Sequence, residues 1–578
     1  MRSPRLHSIE AGFRPLLLGG LGAVFLVLAP GWGGSDVDAA TRAIVGLSGA
    51  VTAGDVDDLL TPADVPLSLG QTSAGRLLRA RSIPLSGDHH AFFSHIESRR
   101  THYGTDEMHD LVLRISAQVA ERYPASIMRI GNVSLEHGGR SPWHASHQSG
   151  RDIDIAFYLL DEQGQTQRPD NFVVIGRNGR SRDGRLIFDT SRNLALINAL
   201  IADEQAPVQW IFVARWLKAM LIEQAQRESV SDQMIARMQE VLVQPGDSSP
   251  HHDHLHVRVY CSLQGRMYGC LDRAPFRPWV DLGDRAWSKH VRRVARVLDM
   301  PSAEHRLRAL KLLAQMRASA SVAPILRTLK DPKQAVRDAG LRALAVIGSP
   351  SAGPGLLANM RKSKDANWAL RIFGVYRRLE VPGLVDTARR LVLRPKSYVH
   401  RKVARHAMAP LYVAASEVLL EHGGRSAVRP LLKLVSSRDR RVRVAAHRAL
   451  IHVTNQRVRG SIGSRNPRKW RRVAGKWKRF WRKNARRSWL HWMRKGFRGH
   501  GVRMRGRHFT RRDVPRLIRA IGHRNRAVSR NAVRVLTELT RHRAPVFRGT
   551  RSREVRRLKK HWRWWYKRHR RRLRFRRG

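Results

Sequence analysis

Two short stretches concentrate side chains able to ligate a metal and move protons. His144–Tyr158 reads HASHQSGRDIDIAFY, and His251–Cys261 reads HHDHLHVRVYC. Both end in an apolar/polar alternation that predicts a strand. On a strand His254 and His256 project from one face, with Leu255 and Val257 on the other. Asp152 and Asp154 likewise share a face, with Ile153 and Ile155 opposite. His147 stands seven residues before Asp154, across the turn-prone Ser149–Gly150, so a loop imidazole and a strand carboxylate can converge. Such a set suits zinc, which takes three His or carboxylate ligands and keeps a fourth position for water. The ion lowers the pKa of that water toward about 7, and a neighbouring imidazole can take the proton. A lone HxH or His-x6-Asp means little in a chain with 27 His. Together, with His144 and His251 in matching places, they form a specific signal against the rival reading of surface histidines on ordinary strands.

The combination resembles a known family. SHQSGRDIDI is similar to the SHQxGxDxDI element of the penicillin-insensitive murein endopeptidases, and HHDHLHVRVYC resembles their H-x-x-H-x-H-V-R-x-x-C element. These belong to the wider zinc-peptidase group that includes the lysostaphin-like and D-Ala-D-Ala peptidases and the hedgehog fold. The similarity runs from about Gly70 to Pro278, taking in RRTHYGTDEMHDLVLRI and WIFVARWLKAMLIEQA. It implies a multidomain chain with an α+β peptidase domain on an antiparallel sheet core. It implies a bound Zn2+, zinc ligands His147, Asp154 and His256, and His254 beside the metal as base or transition-state stabiliser. His144 and His251 match further family histidines, with metal ligation, ligand orientation and substrate binding all open.

Two departures stand beside the match. Family members can carry an extra Asp/His pair between the motifs, and Phe172–Phe188 (FVVIGRNGRSRDGRLIF) has no convincing counterpart, which puts a second metal in doubt. Ser249-Pro250 precedes the second cluster where an aromatic is expected. Arg99, Arg100, Arg140 and Arg151 lie in or near the motifs and could hold substrate carboxylates, although solvated surface charge is the favoured reading for each.

The elements that position these residues occupy only part of the chain. Its 578 residues hold 109 Lys+Arg against 45 Asp+Glu, a formal net charge of +64, which predicts attraction to polyanions. The charge is uneven: −2 over residues 1–290, +23 over 291–450 and +43 over 451–578. Length predicts several domains, with an export signal or retained anchor at 1–39 and a linker at 40–69, and the resemblance implies a murein endopeptidase-like domain at 70–285. Helical repeats follow at 301–456, then a strongly basic Trp/Arg-rich helical region at 457–578 with a further repeat. Arg2, Arg5 and Arg14 precede the apolar run Pro15–Pro30, and Val37-Asp38-Ala39 offers a cleavage site. No later stretch is apolar enough to span a membrane. In an oxidising compartment Cys261 and Cys270 are expected to pair as a disulfide closing a short loop, rather than remain buried thiols.

The back half repeats itself. DPKQAVRDAGLRALAVIG, SRDRRVRVAAHRALIHVT and HRNRAVSRNAVRVLTEL each place a Val (Val336, Val442, Val528) eight residues before a Leu (Leu344, Leu450, Leu536). Each follows an apolar segment opened by Pro324, Pro430 or Pro515, where a helix's first turn tolerates proline. Paired helices at this spacing resemble HEAT-type repeats, which stack because one pair cannot bury its own apolar face. Eight of the 15 Trp lie in Trp470–Phe497 and Leu558–Gly578, among Arg and Lys. Such tryptophans can stack on cations, sit in an anionic lipid surface, hold single-stranded nucleic acid or simply pack between repeats.

The reading is a periplasmic zinc endopeptidase that cuts D-alanyl–diaminopimelyl cross-links in peptidoglycan. Its basic repeats are expected to dock it to an anionic envelope surface such as lipid headgroups, glycolipid or wall carboxylates, possession of an export signal arguing against nucleic acid. A D,D-carboxypeptidase on the same site, or an inactive zinc-bearing wall-binding scaffold, are the alternatives, and intact His254 counts against inactivity. A controlling protein partner stays open.

Overall fold

A computed structural model describes residues 53–246, 249–504, 506, 508–542, 544, 552–571 and 573. The expected export signal at 1–39 and the start of the expected linker lie outside the described residues. From Val56 onward the chain forms one unit, an α/β region followed by a helical one. Among the described residues no helix is long and apolar enough to cross a membrane.

The two histidine motifs become adjacent strands. Asp152–Ala156 and His254–Val259 pair antiparallel in a six-stranded sheet. The register sets Asp154 opposite His256, Asp152 opposite Arg258, and Ile153 and Ile155 opposite Val257 and Leu255. Period-two alternation then gives the sheet two chemically distinct faces, and a one-residue slip would exchange them. Ile153, Ile155, Leu255 and Val257 are buried among Leu111, Leu194 and Leu217 of the covering helices. Burying each such side chain contributes about 1.5–3 kcal/mol. The opposite face carries the histidines and carboxylates.

The full strand order is Leu242–Val243, Val208–Phe212, His254–Val259, Asp152–Ala156, Met128–Ile130, His90–Phe92. The three inner pairings are antiparallel, as expected, but both outermost pairings are parallel. A crossover helix accounts for each. Asp106–Arg122 links His90–Phe92 to Met128–Ile130, and Arg215–Arg227 with Asp232–Val241 links Val208–Phe212 to Leu242–Val243. Asp106–Arg122 buries Met108, Leu111, Val112, Ile115 and Val119 at helical spacing. Thr105 caps it by accepting from the Met108 N–H, with Asp106 and Glu107 in the first turn.

Cys261 and Cys270 form the expected disulfide. The loop it closes carries the short helix Leu263–Tyr268, which packs on the first helix of the back half, Asp284–Arg296. Tyr268 lies edge-on to the buried His290, and Arg266 Nη2 donates to Asp284 at 2.7 Å.

The back half is helical throughout its described residues. The three echoes fold as the pairs Val322–Thr328 with Gln334–Ile347, Val428–Leu434 with Arg440–Thr454, and Val514–Ala520 with Arg526–Thr540. Each proline falls in the first turn of the first helix, and all six spaced Val and Leu residues are buried. Two further pairs lie between the first and second echoes: Gly353–Lys362 with Ala366–Arg378, and Leu384–Leu393 with Ala409–His422. The wide spacing between those echoes is therefore occupied by divergent copies.

Of the ways the Trp/Arg stretches could be used, packing prevails. Trp470, Trp477, Trp492, Trp562 and Trp565 are buried, and only Trp564 of the eight is exposed. In helix Pro467–Asn484 the apolar stripe Trp470, Val473, Ala474 and Trp477 faces the core while most Arg and Lys face outward. Insertion of these rings into lipid is incompatible with that burial.

Trp477→Ala is expected to cost about 3–5 kcal/mol, as for other large core truncations, and Trp564→Ala under about 0.5 kcal/mol. Chemical denaturation followed by circular dichroism checks both, and equal effects would contradict the packing described.

Candidate metal centre

Asp154 is the focus of the polar sheet face. It is fully buried, yet neither carboxylate oxygen has a hydrogen-bond partner. Four imidazole nitrogens surround it instead: His147 Nε2 at 3.2 Å, His256 Nδ1 at 3.3 Å, His254 Nε2 at 3.5 Å and His144 Nε2 at 3.7 Å. Four imidazole atoms here are also buried without hydrogen-bond partners, Nε2 of His144, His147 and His256 and Nδ1 of His254. Orphaned buried polar atoms cost free energy, and a set made only of imidazole nitrogens and carboxylate oxygens fits a borderline cation such as zinc. The residues present therefore fit a bound metal. Donor atoms within 4.8 Å of one another fall into three overlapping groups: His144–His147–Asp154, His147–Asp152–His256 and His251–His254–His256.

Local folding holds each donor in place. His147 adopts φ +60° in the loop before the strand, and its backbone N–H donates to Asp152 Oδ2 at 3.0 Å. Its Nδ1 lies 2.7 Å from the Val133 carbonyl, which can only accept, so in the neutral ring the lone pair is on Nε2, toward Asp154. Gly150 turns the chain from this loop into the strand at φ +73°, where a Cβ would meet both Leu77 methyls near 3 Å. His251, also left-handed at φ +53°, donates through Nδ1 to the Ser249 carbonyl at 2.8 Å, which frees its Nε2 in the same way.

Asp152 plays a different part from Asp154. It accepts from Arg258 Nε at 2.6 Å and Nη2 at 3.1 Å, a bidentate pair across the strands, besides the His147 N–H. Burial raises its carboxyl, but Arg258 and His256 outweigh that and hold it well below the usual range. At Asp154 burial is likewise overcome, chiefly by His147 and then His254. Burial lowers His147 and His254, yet Asp154 leaves both above the ordinary imidazole value. Burial pushes His144 down to about 4, with His147 adding to it, and pushes His251 down to about 4, with His256 adding.

All six expected site residues thus lie in one cluster, and four residues not singled out complete it. Asp253 Oδ1 stands 2.9 Å from His254 Nδ1. Phe172 stacks on His254 with ring centroids 4.4 Å apart, and Phe212 meets His256 edge-on at 5.2 Å. Arg258 is the fourth. Gly131 makes room for Phe172, since a Cβ there would come within 2.4 Å of its ring. Asp253 and Arg258 were readable as motif neighbours, whereas nothing in the spacing of FVVIG points to Phe172. Among the described residues no metal-capable group includes a residue from 172–188, and Phe172 fills that side of the site with a ring.

The four arginines separate. Arg151 is buried and spent internally on Ser68, the Val259 carbonyl and Asp272, contrary to the solvated reading, because it ties the strand to the disulfide loop. Arg100 pairs with Glu136 at 2.7 Å, and Arg140 is exposed. Arg99 lies 4.9 Å above the exposed ring of Trp143, next to His144.

Comparison with known proteins finds HEAT repeats over residues 292–372. The family model for penicillin-insensitive murein endopeptidase matches residues 68–301. Proteins named penicillin-insensitive murein endopeptidase from Escherichia coli and from Shigella boydii serotype 18 are 27% identical to this chain over 199 residues. The matched part is 34% of this chain and 66% of theirs, so the chain spans just under two thirds of the length of these relatives. Every quoted motif residue lies inside the matched region.

Asp152→Ala should destabilise the fold by about 3–5 kcal/mol, because it strands a largely buried Arg258 without its counter-charge. Urea denaturation of Asp152→Ala beside the double variant Asp152→Ala/Arg258→Met checks the cause. The double variant should recover stability, and no recovery would place the damage elsewhere.

Proposed function

We propose that the chain is an exported zinc endopeptidase that hydrolyses D-alanyl–diaminopimelyl cross-links of bacterial peptidoglycan. The observation that carries this reading is the buried Asp154 carboxylate ringed by imidazole nitrogens, with its own oxygens and two of the four facing nitrogens, Nε2 of His144 and of His147, unpartnered. The match of residues 68–301 to the murein endopeptidase family supports the substrate, and the disulfide and the apolar N-terminal run support export.

His147, Asp154 and His256 are assigned as the residues that hold the ion, with His144 and His251 lining the same pocket of donors. Zinc bound in such a site supplies a Lewis acid for the scissile carbonyl and a water of lowered pKa. The remaining tasks fall to this chain's own side chains. His254 is the proton carrier. Asp253 at its Nδ1 and Phe172 on its ring face fix the imidazole, leaving Nε2 directed toward Asp154. It accepts the proton of the attacking water at Nε2 and returns it to the departing amine of diaminopimelate. Asp253 thus plays the orienting role that a carboxylate plays behind a catalytic imidazole. Asp152 and Arg258 act as positioning residues, through the His147 backbone and the strand pairing. Arg99, seated on Trp143 beside His144, is placed to meet a carboxylate of the acidic stem peptide. The cationic repeats dock the enzyme to an anionic component of the envelope.

Digestion of purified peptidoglycan tests the reading. Cross-linked dimers should disappear, chelator should stop the loss, and zinc should be found at about one ion per chain. Asp154→Ala and His256→Ala should lose both zinc and activity. His254→Ala should keep the zinc and lose about 10²–10⁴-fold in rate, the usual worth of a general acid–base. Undiminished activity in Asp154→Ala and His256→Ala would sink the metal assignment, and release of free D-alanine without loss of dimers would make the enzyme a carboxypeptidase.

A further inference from the structure

The back half contains a positively charged cleft that no carboxylate among the described residues pairs with. It lies between Arg440–Thr454 and Arg526–Thr540, the second helices of two echoing repeats, and has a volume of about 570 Å³. Arg448, Arg526 and Arg530 line it, together with His447 and His452. An adjoining hollow of about 360 Å³ shares Arg526 and Arg530 and adds Arg524 and Arg556.

Structural arginines in this region look different. Arg443 is buried and donates to the carbonyls of Ile462, Arg438 and Ser464. Arg494 and Arg516 share the buried Asp513. Asp439 is occupied in capping its helix and pairing with Arg441. Among the described residues no ion pair reaches Arg448, Arg526 or Arg530; the pairs of this region run between other residues. Three guanidinium groups from two helices thus line one hollow, Arg448 and Arg526 exposed and Arg530 half-buried, with no acceptor from the described residues, and their mutual repulsion favours an anion there.

The walls are fixed. Asn531 is buried and donates to the His452 carbonyl at 2.8 Å and to Asn455 Oδ1 at 3.2 Å, pinning the two helices together. Trp477 Nε1, which can only donate, does so to His447 Nδ1 at 2.8 Å, so a neutral His447 carries its proton on Nε2 as a further donor. Burial, with Arg530, Arg448 and Arg534 adding to it, pushes His452 down to about 4, in keeping with a concentrated positive potential. Asn525 already accepts from the Ala527 and Val528 N–H groups, so the guanidiniums rather than backbone amides are left to make the contacts.

We propose that this cleft is a binding site for a phosphate group, held by Arg448, Arg526 and Arg530. A phosphate presents more oxygens than a carboxylate, in a tetrahedral rather than planar array, and so can engage guanidinium forks that approach from two helices at once. The site gives a definite location to the anionic docking in the reading above, and its binding is measured without peptidase activity. The shared chemistry has two sources, a phospholipid headgroup or a soluble phosphorylated group.

Calorimetric titration of the full chain with inorganic phosphate at low salt is the test. Saturable binding is expected, weakened by about tenfold or more in Arg526→Gln/Arg530→Gln, which removes two charge-assisted contacts. Arg472→Gln/Arg479→Gln, which removes the same charge from exposed positions of helix Pro467–Asn484, should bind as the parent does. Absence of saturable binding, or equal weakening of the two double variants, would overturn the site in favour of diffuse charge. Vesicles of phosphatidylglycerol in phosphatidylcholine separate the sources. Retention that phosphate competes away and Arg526→Gln/Arg530→Gln loses identifies a lipid headgroup, and phosphate binding without vesicle retention identifies a soluble group. Both support the site. Digestion of soluble peptidoglycan fragments should be unchanged in Arg526→Gln/Arg530→Gln, so a failed digest with intact phosphate binding would remove the peptidase reading and leave this one standing.

Discussion

A carboxylate with no hydrogen-bond donor, sunk below the surface among imidazoles, governs the front half of this protein. An ionised Asp154 in that position costs several kcal/mol unless positive charge answers it. The surrounding structure is arranged so that the answer does not come from an arginine. Arg258, the nearest strong cation on the same strand pair, is held by Asp152, one step away along the pleat. The two carboxylates look equivalent in DIDI, but one is neutralised internally and the other is left open to its imidazoles. Strand register enforces that division, since Asp152 faces Arg258 and Asp154 faces His256. The hydrophobic face therefore does more than stabilise: by locking the register through Ile153, Ile155, Leu255 and Val257 it decides which carboxylate is free.

A related constraint shapes the other end. Residues 451–578 carry 46 basic side chains against three acidic ones, so compaction there works against self-repulsion. Ion pairs cannot supply the compensation, because the acids are too few. Large aromatic cores can. Trp477, Trp492 and Trp562 are fully buried, and the rings also receive guanidinium groups, as Arg443 does on Trp470 and Arg534 on Trp489. Burial pushes His452, and His447 just before this region, down to about 4, which avoids adding further charge. Tryptophan density in this region thus follows from the charge density and needs no ligand of its own.

How much was legible in the sequence depended on whether a signal was local. His254, His256, Asp152 and Asp154 were legible because a strand's period of two is a covalent property of the chain. His147 was legible once Ser149–Gly150 marked a turn. The echoed repeats were legible because each repeats its own core pattern, as Val336, Val442 and Val528 do. Phe172 was not, since its stacking on His254 joins segments about 80 residues apart and rests on the space left by Gly131. The parallel edges were missed because pairing direction is set by crossover helices, not by the composition of short strands such as Leu242–Val243. Arg151 was misread because exposure is a statistical habit of arginine, and here Asp272, Ser68 and a carbonyl make burial affordable. The pairs between Gly353 and His422 were missed because their helices satisfy the same burial with different residues, Phe373 and Tyr376 among them.

The seam between the halves shows how the two constraints coexist. The core of the α/β half and the first repeat core are separate clusters of buried residues. They are joined through the disulfide loop, where the backbones of Gly70 and Gly269 bond, Arg266 meets Asp284, and Tyr268 packs toward the repeats. Cys261 follows directly on the strand that carries His254 and His256. Closing this loop fixes the segment that supports the metal-site strand on one side and seats the first repeat helix on the other. A polar, covalently braced seam keeps the strongly cationic repeats from sharing a core with the site around Asp154. Repeats arranged in this way can change charge without disturbing the strand register on which the site around Asp154 depends.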